Sequence, residues 1–119
     1  MIKTLTHAHL SRRDRIGRLY LNNTEVGAVS LLGHSGSWVF GEFIPSPGFF
    51  AFAQVYTRWS LLIHAESGRK RLNESASRKL RACEHEMDAI RASLLLDTPE
   101  EWRQCRQLNI EGSLIECKE

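Results

Sequence analysis

Alternating apolar and polar positions predict three strands in the first part of the chain, at residues 15–21, 25–32 and 38–43. Asn22 and Asn23 stand between the first two strands, and asparagine favours turns because it tolerates the left-handed backbone conformation. A Gly/Ser run separates the second strand from the third. Three strands joined by short turns predict an antiparallel meander. Because apolar residues lie on both of its faces, we expect a later element or a partner to cover the second face.

A different period follows, and it predicts a helix from Pro47 to about Glu66. Ser46 followed by proline suits a helix start, since a hydroxyl can cap the first turn and proline is tolerated there. One apolar stripe with spacings of 3 and 4 consists of Phe49, Phe52, Tyr56, Trp59 and Ile63. Phe50, Leu61 and Leu62 lie outside that stripe. A helix that is apolar on most sides is usually buried on more than one side.

Two further helices are predicted from the second half of the chain. A long amphipathic helix at residues 72–95 is indicated by Leu72, Ala76, Leu80, Cys83, Met87, Ile90 and Leu94, which recur every 3 or 4 residues. Thr98, Pro99 and Glu101 resemble a capped helix start and predict a short third helix ending near Leu108. The remaining tail predicts one strand or a small hairpin.

These elements predict one α+β domain at residues 15–119, preceded by an N-terminal arm at residues 1–14. Its antiparallel sheet combines the three-stranded N-terminal meander with one or two C-terminal strands. The sheet is packed with a buried apolar helix, a long amphipathic helix and a short third helix. A chain of 119 residues is long enough to bury one core without further support.

Composition narrows the class of protein but not its function. A net charge of +2 is too small to indicate nucleic-acid binding by itself. Cys83, Cys105 and Cys117 show no paired spacing, which predicts no disulfide framework and a reducing compartment. On this basis Cys83 and Cys105 are expected in the core and Cys117 at the surface. No segment has the apolar length of a signal peptide or a membrane span, so we expect a cytoplasmic protein without membrane contact.

Candidate chemistry is sparse. Ser35 lies in a sequence close to the G-x-S-x-G nucleophile motif, but the final glycine is missing and a hairpin loop is the better interpretation. His7 and His9 could chelate a metal, yet no further ligands are evident. Glu84 and Asp88 form a carboxylate pair on one helical face, which is usually solvated surface. We therefore predict no catalytic residue, no metal site and no cofactor.

Three hypotheses about function follow. The first is a non-catalytic interaction or regulatory protein that forms a homodimer, with an interface drawn from Phe50, Leu61, Leu62, Leu80 and Met87. The second is a binder of nucleic acid or another anionic partner through a basic stretch containing Arg69, Lys70, Arg71, Arg78, Lys79 and Arg81. The third is an enzyme or ligand-binding domain with a pocket over the sheet, using Trp38, His34 or Glu42.

The segment from Trp38 to Phe43, followed by Pro45 and Pro47, resembles a pattern in small uncharacterised bacterial proteins. In those proteins a hairpin ends in a W-V-x-G-x-F-x-P segment and a helix follows. The similarity covers residues 18–63. It implies a bacterial, cytoplasmic, single-domain protein, and it carries over no activity and no site residue.

Overall fold

The structure of this protein is a computed structural model, and it describes residues 15–67 and 73–119. One antiparallel sheet contains seven strands in the order β5-β4-β1-β2-β3-β7-β6. The strands are β1 Arg15–Leu21, β2 Thr24–Ser35, β3 Trp38–Pro45, β4 Ala92–Asp97, β5 Glu100–Cys105, β6 Gln107–Glu111 and β7 Leu114–Lys118. About half of the described residues lie in strands.

Two α-helices connect β3 to β4. A short 3-10 turn at Pro47–Phe49 leads into α1, Phe50–Ser67. The helix α2 spans Glu74–Asp88 and begins at Asn73, whose side-chain oxygen accepts a hydrogen bond from the backbone N–H of Ala76 at 2.7 Å. Such a cap satisfies a backbone donor that the first turn leaves without a helical partner.

The N-terminal meander follows the predicted alternation. β1 pairs with β2 and β2 with β3, both antiparallel. Asn22 and Asn23 make the first turn with positive φ angles of 50° and 68°, and Gly36 makes the second with a φ of 62°. The predicted helix start at Pro47 also coincides with the 3-10 turn that opens α1.

The predicted fold class is wrong in its proportions, because the chain forms a seven-stranded curled sheet and only two α-helices among the described residues. The long helix ends at Asp88 rather than Leu95, and the predicted third helix is the strands β5 and β6. One cause of the early helix end is the position of Arg91, which two hydrogen bonds of 2.8 and 2.9 Å join to Asn22. These bonds fix Arg91 beside the first turn and direct the chain into β4. Thr98 and Pro99 form a hairpin turn between β4 and β5 instead of a helix start.

The curl of the sheet brings its two edge strands together. β5 and β6 stand at opposite ends of the strand order, yet only Arg106 separates them along the chain. The backbone N–H of Arg106 donates to the carbonyl of Lys118 at 2.7 Å, and a disulfide joins Cys105 to Cys117. The sheet therefore closes on itself at this corner.

This disulfide corrects the prediction from cysteine spacing. Cys105 and Cys117 are bonded and both are buried, whereas Cys83 is a buried free thiol. Sequence spacing could not reveal the bond because the curl of the sheet, rather than a local motif, brings the two strands together. The inference of a reducing compartment loses its support, since disulfides are typical of oxidising compartments.

The inner face of the curled sheet and the inner sides of both helices share one hydrophobic core. Every strand and both helices contribute to it. Among its members are Leu19, Leu21, Val29, Leu31, Phe43, Val55, Tyr56, Trp59, Leu80, Cys83, Met87, Leu94, Leu96, Leu108, Ile115 and the Cys105–Cys117 pair. The opposite face of the sheet has no covering element among the described residues, so the second apolar face of the meander stays open to solvent there.

Candidate functional site

Two of the three most exposed large apolar side chains in the described part of the chain lie on the outward side of α1. Phe50 is 84% exposed and Leu61 is 67% exposed, while Leu62 is half-buried and packs against the core. Between the two exposed residues the surface is made by Gln54 and Thr57. Most of the surface residues of this helix are uncharged, which is unusual for a side that faces water. We call Phe50, Ala53, Gln54, Thr57, Arg58 and Leu61 the α1 face.

Two other residues predicted for the interface are located elsewhere. Leu80 and Met87 are only 8% and 9% exposed, and they pack on the inner side of α2 in the core. They are consequently unavailable to a partner. A single apolar stripe on a helix can pack inside the same domain or against a partner, and helical spacing alone does not distinguish the two cases for α2.

A groove of about 210 Å³ runs beside the α1 face, between α1 and the edge strand β6. Leu61 and Thr57 line it from the helix, and Ile110 lines it from the strand. Glu111 connects the two elements: it accepts a hydrogen bond from the Ser60 hydroxyl at 2.9 Å and lies 2.8 Å from Nε2 of His64. The apolar surface of α1 therefore continues towards an edge of the sheet.

A second concave feature lies where the end of α2 meets the corner between β5 and β6. Its volume is about 350 Å³. Buried side chains form its floor, among them Trp59, Met87 and Leu108. Its rim carries Glu84 and Asp88 on the helix side, with Trp38, Arg106, Gln107 and Asn109 on the strand side. We call this the corner cavity.

The residues of the predicted pocket over the sheet do not converge. Trp38 lines the corner cavity, whereas Glu42 lines a depression of about 260 Å³ on the outer face of the sheet beside Ile16 and Ile44. His34 pairs with Val39 near the exposed end of the β2–β3 hairpin. Ser35 is the last residue of β2, so the predicted loop is wrong in its extent and only Gly36 and Ser37 form the turn of the hairpin.

Half of the predicted anion-binding residues, Arg69, Lys70 and Arg71, and the histidines His7 and His9 lie outside the described residues, as does the predicted arm. Arg78, Lys79 and Arg81 lie on exposed positions of α2. The guanidinium of Arg78 pairs with Glu74 at 3.0 Å, one turn away on the same helix. An exposed pair of this kind contributes little stability. It also neutralises the positive charge of one of these three basic side chains.

A row of charged side chains links strands β1 and β5 to the residue that follows β7. Glu101 accepts from Arg15 at 3.0 Å and from Arg103 at 3.3 Å, and Arg103 also reaches Glu119 at 2.8 Å. The hydrogen bond from Arg15, followed by that from Arg103, lowers the pKa of Glu101. Burial alone would lower the pKa of Arg103, but its contacts with Glu119 and Glu101 raise it. The row ties β1, β5 and Glu119 together.

Two further observations limit the chemistry. No group of three or more His, Cys, Asp or Glu side chains within residues 15–67 and 73–119 has the geometry to hold a metal ion. Neither α1 nor α2 is long and apolar enough to cross a membrane.

Comparisons with protein-family models, with curated proteins and with solved structures found no match to this chain. The chemistry of its surfaces is therefore the basis for a functional proposal.

The corner cavity had one signal in the sequence, the Glu84 and Asp88 pair on a shared helical face. The contributions of Trp59 and Arg106 were hidden, because the cavity forms only when the sheet curls.

Proposed function

We propose that this protein is a non-catalytic interaction protein that forms a homodimer through the α1 face. The observation that carries the proposal is the exposure of Phe50 and Leu61 on one side of a helix whose outward surface is nearly free of charge. Depletion of charge and enrichment of large apolar side chains are what distinguish the centre of a protein interface from ordinary surface.

The spacing of the α1 face favours a second copy of the same chain as the partner. In an antiparallel pair of α1 helices related by a two-fold axis, Phe50 of each copy meets Leu61 of the other when Gln54 meets Thr57. The same register sets Ala53 against Arg58. Phe50 and Leu61 are three turns apart, about 17 Å along the helix axis, so the two contacts lie at the two ends of the pair.

Charge and size support the same arrangement. Arg58 is the one formally charged residue of the α1 face, and in this register it meets an alanine rather than another arginine. The small and medium side chains at the centre allow the two backbones to approach closely. A single helix pair is a small interface, so we expect a dimer whose population depends on concentration rather than a permanent assembly.

A complementation experiment tests this pairing. Phe50→Lys and Leu61→Glu each place a charge against an apolar side chain at both ends of the dimer, and we expect each to raise the dimer dissociation constant by about thirtyfold, the effect of losing about 2 kcal/mol at an interface hot spot. Mixing the two variants restores a heterodimer, because Lys then meets Glu at one end and the original contact remains at the other. Sedimentation velocity over a range of concentrations measures all three samples.

Ile44→Glu is the matched control, because Ile44 is 70% exposed on the outer face of the sheet and the substitution introduces the same charge away from α1. Its dimer dissociation constant should equal that of the unmodified protein. A strictly monomeric unmodified protein contradicts the proposal. Loss of the dimer in Ile44→Glu, with no effect of Leu61→Glu, would place the interface on the sheet instead.

A cytoplasmic location stays a prediction within this proposal. The paired Cys105 and Cys117 remove the argument that the cysteines are unpaired, so this prediction has lost one of its supports. The proposed interaction requires no cofactor.

A further inference from the structure

The corner cavity has the size of a site for a small organic molecule, since its volume of about 350 Å³ is within the range of such sites. It combines a floor of buried apolar side chains with a rim of polar and charged groups, and polar atoms make up the larger part of its accessible surface. We propose that this cavity binds an organic cation that has an apolar or aromatic body. None of the residues of the α1 face lines the cavity, so this inference does not depend on the proposed dimer.

The preference for positive charge comes from the end of α2. Glu84 and Asp88 are one turn apart on exposed positions of this helix, and both line the cavity. Within the described part of the chain neither carboxylate forms an ion pair or a side-chain hydrogen bond. The carbonyl groups of the last turn of α2 add partial negative charge at the same place. A cation seated there meets two unpaired carboxylates and the negative end of a helix.

Two tryptophans make this site more suitable for an organic cation than for a metal ion. Trp59 is buried in the floor and Trp38 is half-exposed at the rim. Indole rings are the strongest aromatic partners of ammonium groups, and the interaction gains strength where water is excluded. The sulfur of Met87 and the side chain of Leu108 complete an apolar surface for the body of the ligand.

Among the described residues Arg106 is the single cationic residue of the lining, and its position limits its opposition to a bound cation. Its Nε donates to the backbone oxygen of Glu119 at 2.8 Å, which ties the side chain to the far end of β7. Gln107 and Asn109 are neutral. The lining carries two carboxylates against one guanidinium, which favours a ligand with one positive charge.

Three matched probes test the charge preference with the full chain. Phenethylammonium, 2-phenylethanol and phenylacetate share an aromatic body and differ in charge. Titration of tryptophan fluorescence in a Trp102→Phe background reports on Trp38 and Trp59, since Trp102 is on the outer face of β5 and outside the cavity. We expect phenethylammonium to bind about tenfold more tightly than 2-phenylethanol, and higher salt to reduce this difference.

Substitutions in the lining of the corner cavity then test whether the probes bind there. The double variant Glu84→Gln/Asp88→Asn should weaken phenethylammonium binding by about tenfold, and it should leave the weak binding of 2-phenylethanol unchanged. Glu86→Gln is the control for a general effect of charge: it removes one charge, where the double variant removes two, from the same turn of α2 at a residue that does not line the cavity. All three positions are exposed, and thermal unfolding followed by circular dichroism confirms that each variant is folded.

Several outcomes would overturn the inference. They are the absence of binding by all three probes, equal affinity for phenethylammonium and 2-phenylethanol, or tighter binding of phenylacetate, which would point to Arg106. An equal loss of affinity in Glu86→Gln and in the double variant would also overturn it, since the effect would then be a general one of net charge. The dimer experiment is independent of these results, because it measures a different surface.

Discussion

Tyr56 shows how the core constrains a titratable group. Its side chain is 2% exposed on the inner side of α1, among the apolar side chains of the core. Within the described chain its hydroxyl has no hydrogen-bond partner. Burial raises the pKa of Tyr56, because the phenolate would have to lose its hydration.

The raised pKa predicts an alkaline limit to stability. The neutral hydroxyl is favoured in the folded state, so the contribution of Tyr56 is fully present below the unfolded pKa of about 10 and is lost as pH rises through the folded pKa. Above pH 10 this single group should lower the free energy of unfolding by about 1.4 kcal/mol per pH unit. Tyr56→Phe should remove that loss while changing stability at pH 7 by about 1 kcal/mol or less.

The free energy of unfolding of the unmodified protein and of Tyr56→Phe is measured by urea unfolding at several values between pH 7 and about 11.5. Other groups titrate in the same range in both chains, so the informative quantity is the difference in unfolding free energy between them. A difference that stays constant across pH 10 would show that the hydroxyl is not desolvated as the structure has it.

Individual side chains also show what a sequence can predict. Phe50 and Leu61 were identifiable as surplus apolar residues because the spacing of α1 leaves them outside the stripe that the core needs. Leu80 and Met87 were misplaced for the opposite reason: a stripe at helical spacing is equally suited to a core and to a partner, and only the folded neighbours decide. Leu62 was placed outside the stripe by the same reasoning and packs against the core, so the spacing predicted exposure correctly at two of the three positions.

At the scale of elements, the predictions succeeded where turns were explicit. The asparagines between β1 and β2 and the Ser-Pro start of α1 mark boundaries that the structure retains. The prediction for residues 92–105 was wrong, because Leu94 continues the helical spacing of α2 but forms a strand together with Leu95 and Leu96. Such a short apolar run has no decisive period, and the hydrogen bonds of Asn22 with Arg91 that begin the strand come from a distant part of the chain.

The Cys105–Cys117 bond is the covalent part of the sheet closure. It joins the end of β5 to β7 across a sequence separation of 12 residues. Closing a loop of this length restricts the unfolded chain and contributes about 3 kcal/mol in the chain-entropy description. We expect reduction with dithiothreitol to lower the free energy of unfolding by about that amount.

A double variant Cys105→Ala/Cys117→Ala is the control for this measurement, since dithiothreitol should leave its unfolding curve unchanged. It also separates the bond from other effects of the reagent on the free thiol of Cys83. An unmodified protein whose unfolding midpoint does not respond to reduction would show that packing alone holds the corner closed.

At the scale of the whole molecule, the sheet interleaves the two halves of the chain. The central strands β1, β2 and β3 come from the first half, and the flanking pairs β4–β5 and β7–β6 come from the second. Leu19 on β1 faces Leu94 on β4 across the ladder, and Gly41 on β3 faces Ile115 on β7. Neither half can complete a sheet or a core without the other.

This interleaving predicts a single cooperative unfolding transition, which also tests the one-domain prediction for residues 15–119. Far-ultraviolet circular dichroism and tryptophan fluorescence should give the same urea midpoint, and Leu19→Ala should shift both probes together by about 2–5 kcal/mol of unfolding free energy. The measurement is best made in the Leu61→Glu background, so that dimer dissociation adds no step.

Ile44→Ala is the control, because a change at this exposed position should alter stability by about 0.5 kcal/mol or less. Two separate transitions, with the fluorescence of Trp102 on β5 lost before the meander unfolds, would mean that the C-terminal strands dock as an independent unit. Coincident transitions are expected because the core lies between the sheet and both helices, so opening β4 exposes Leu19 and the core that both helices share.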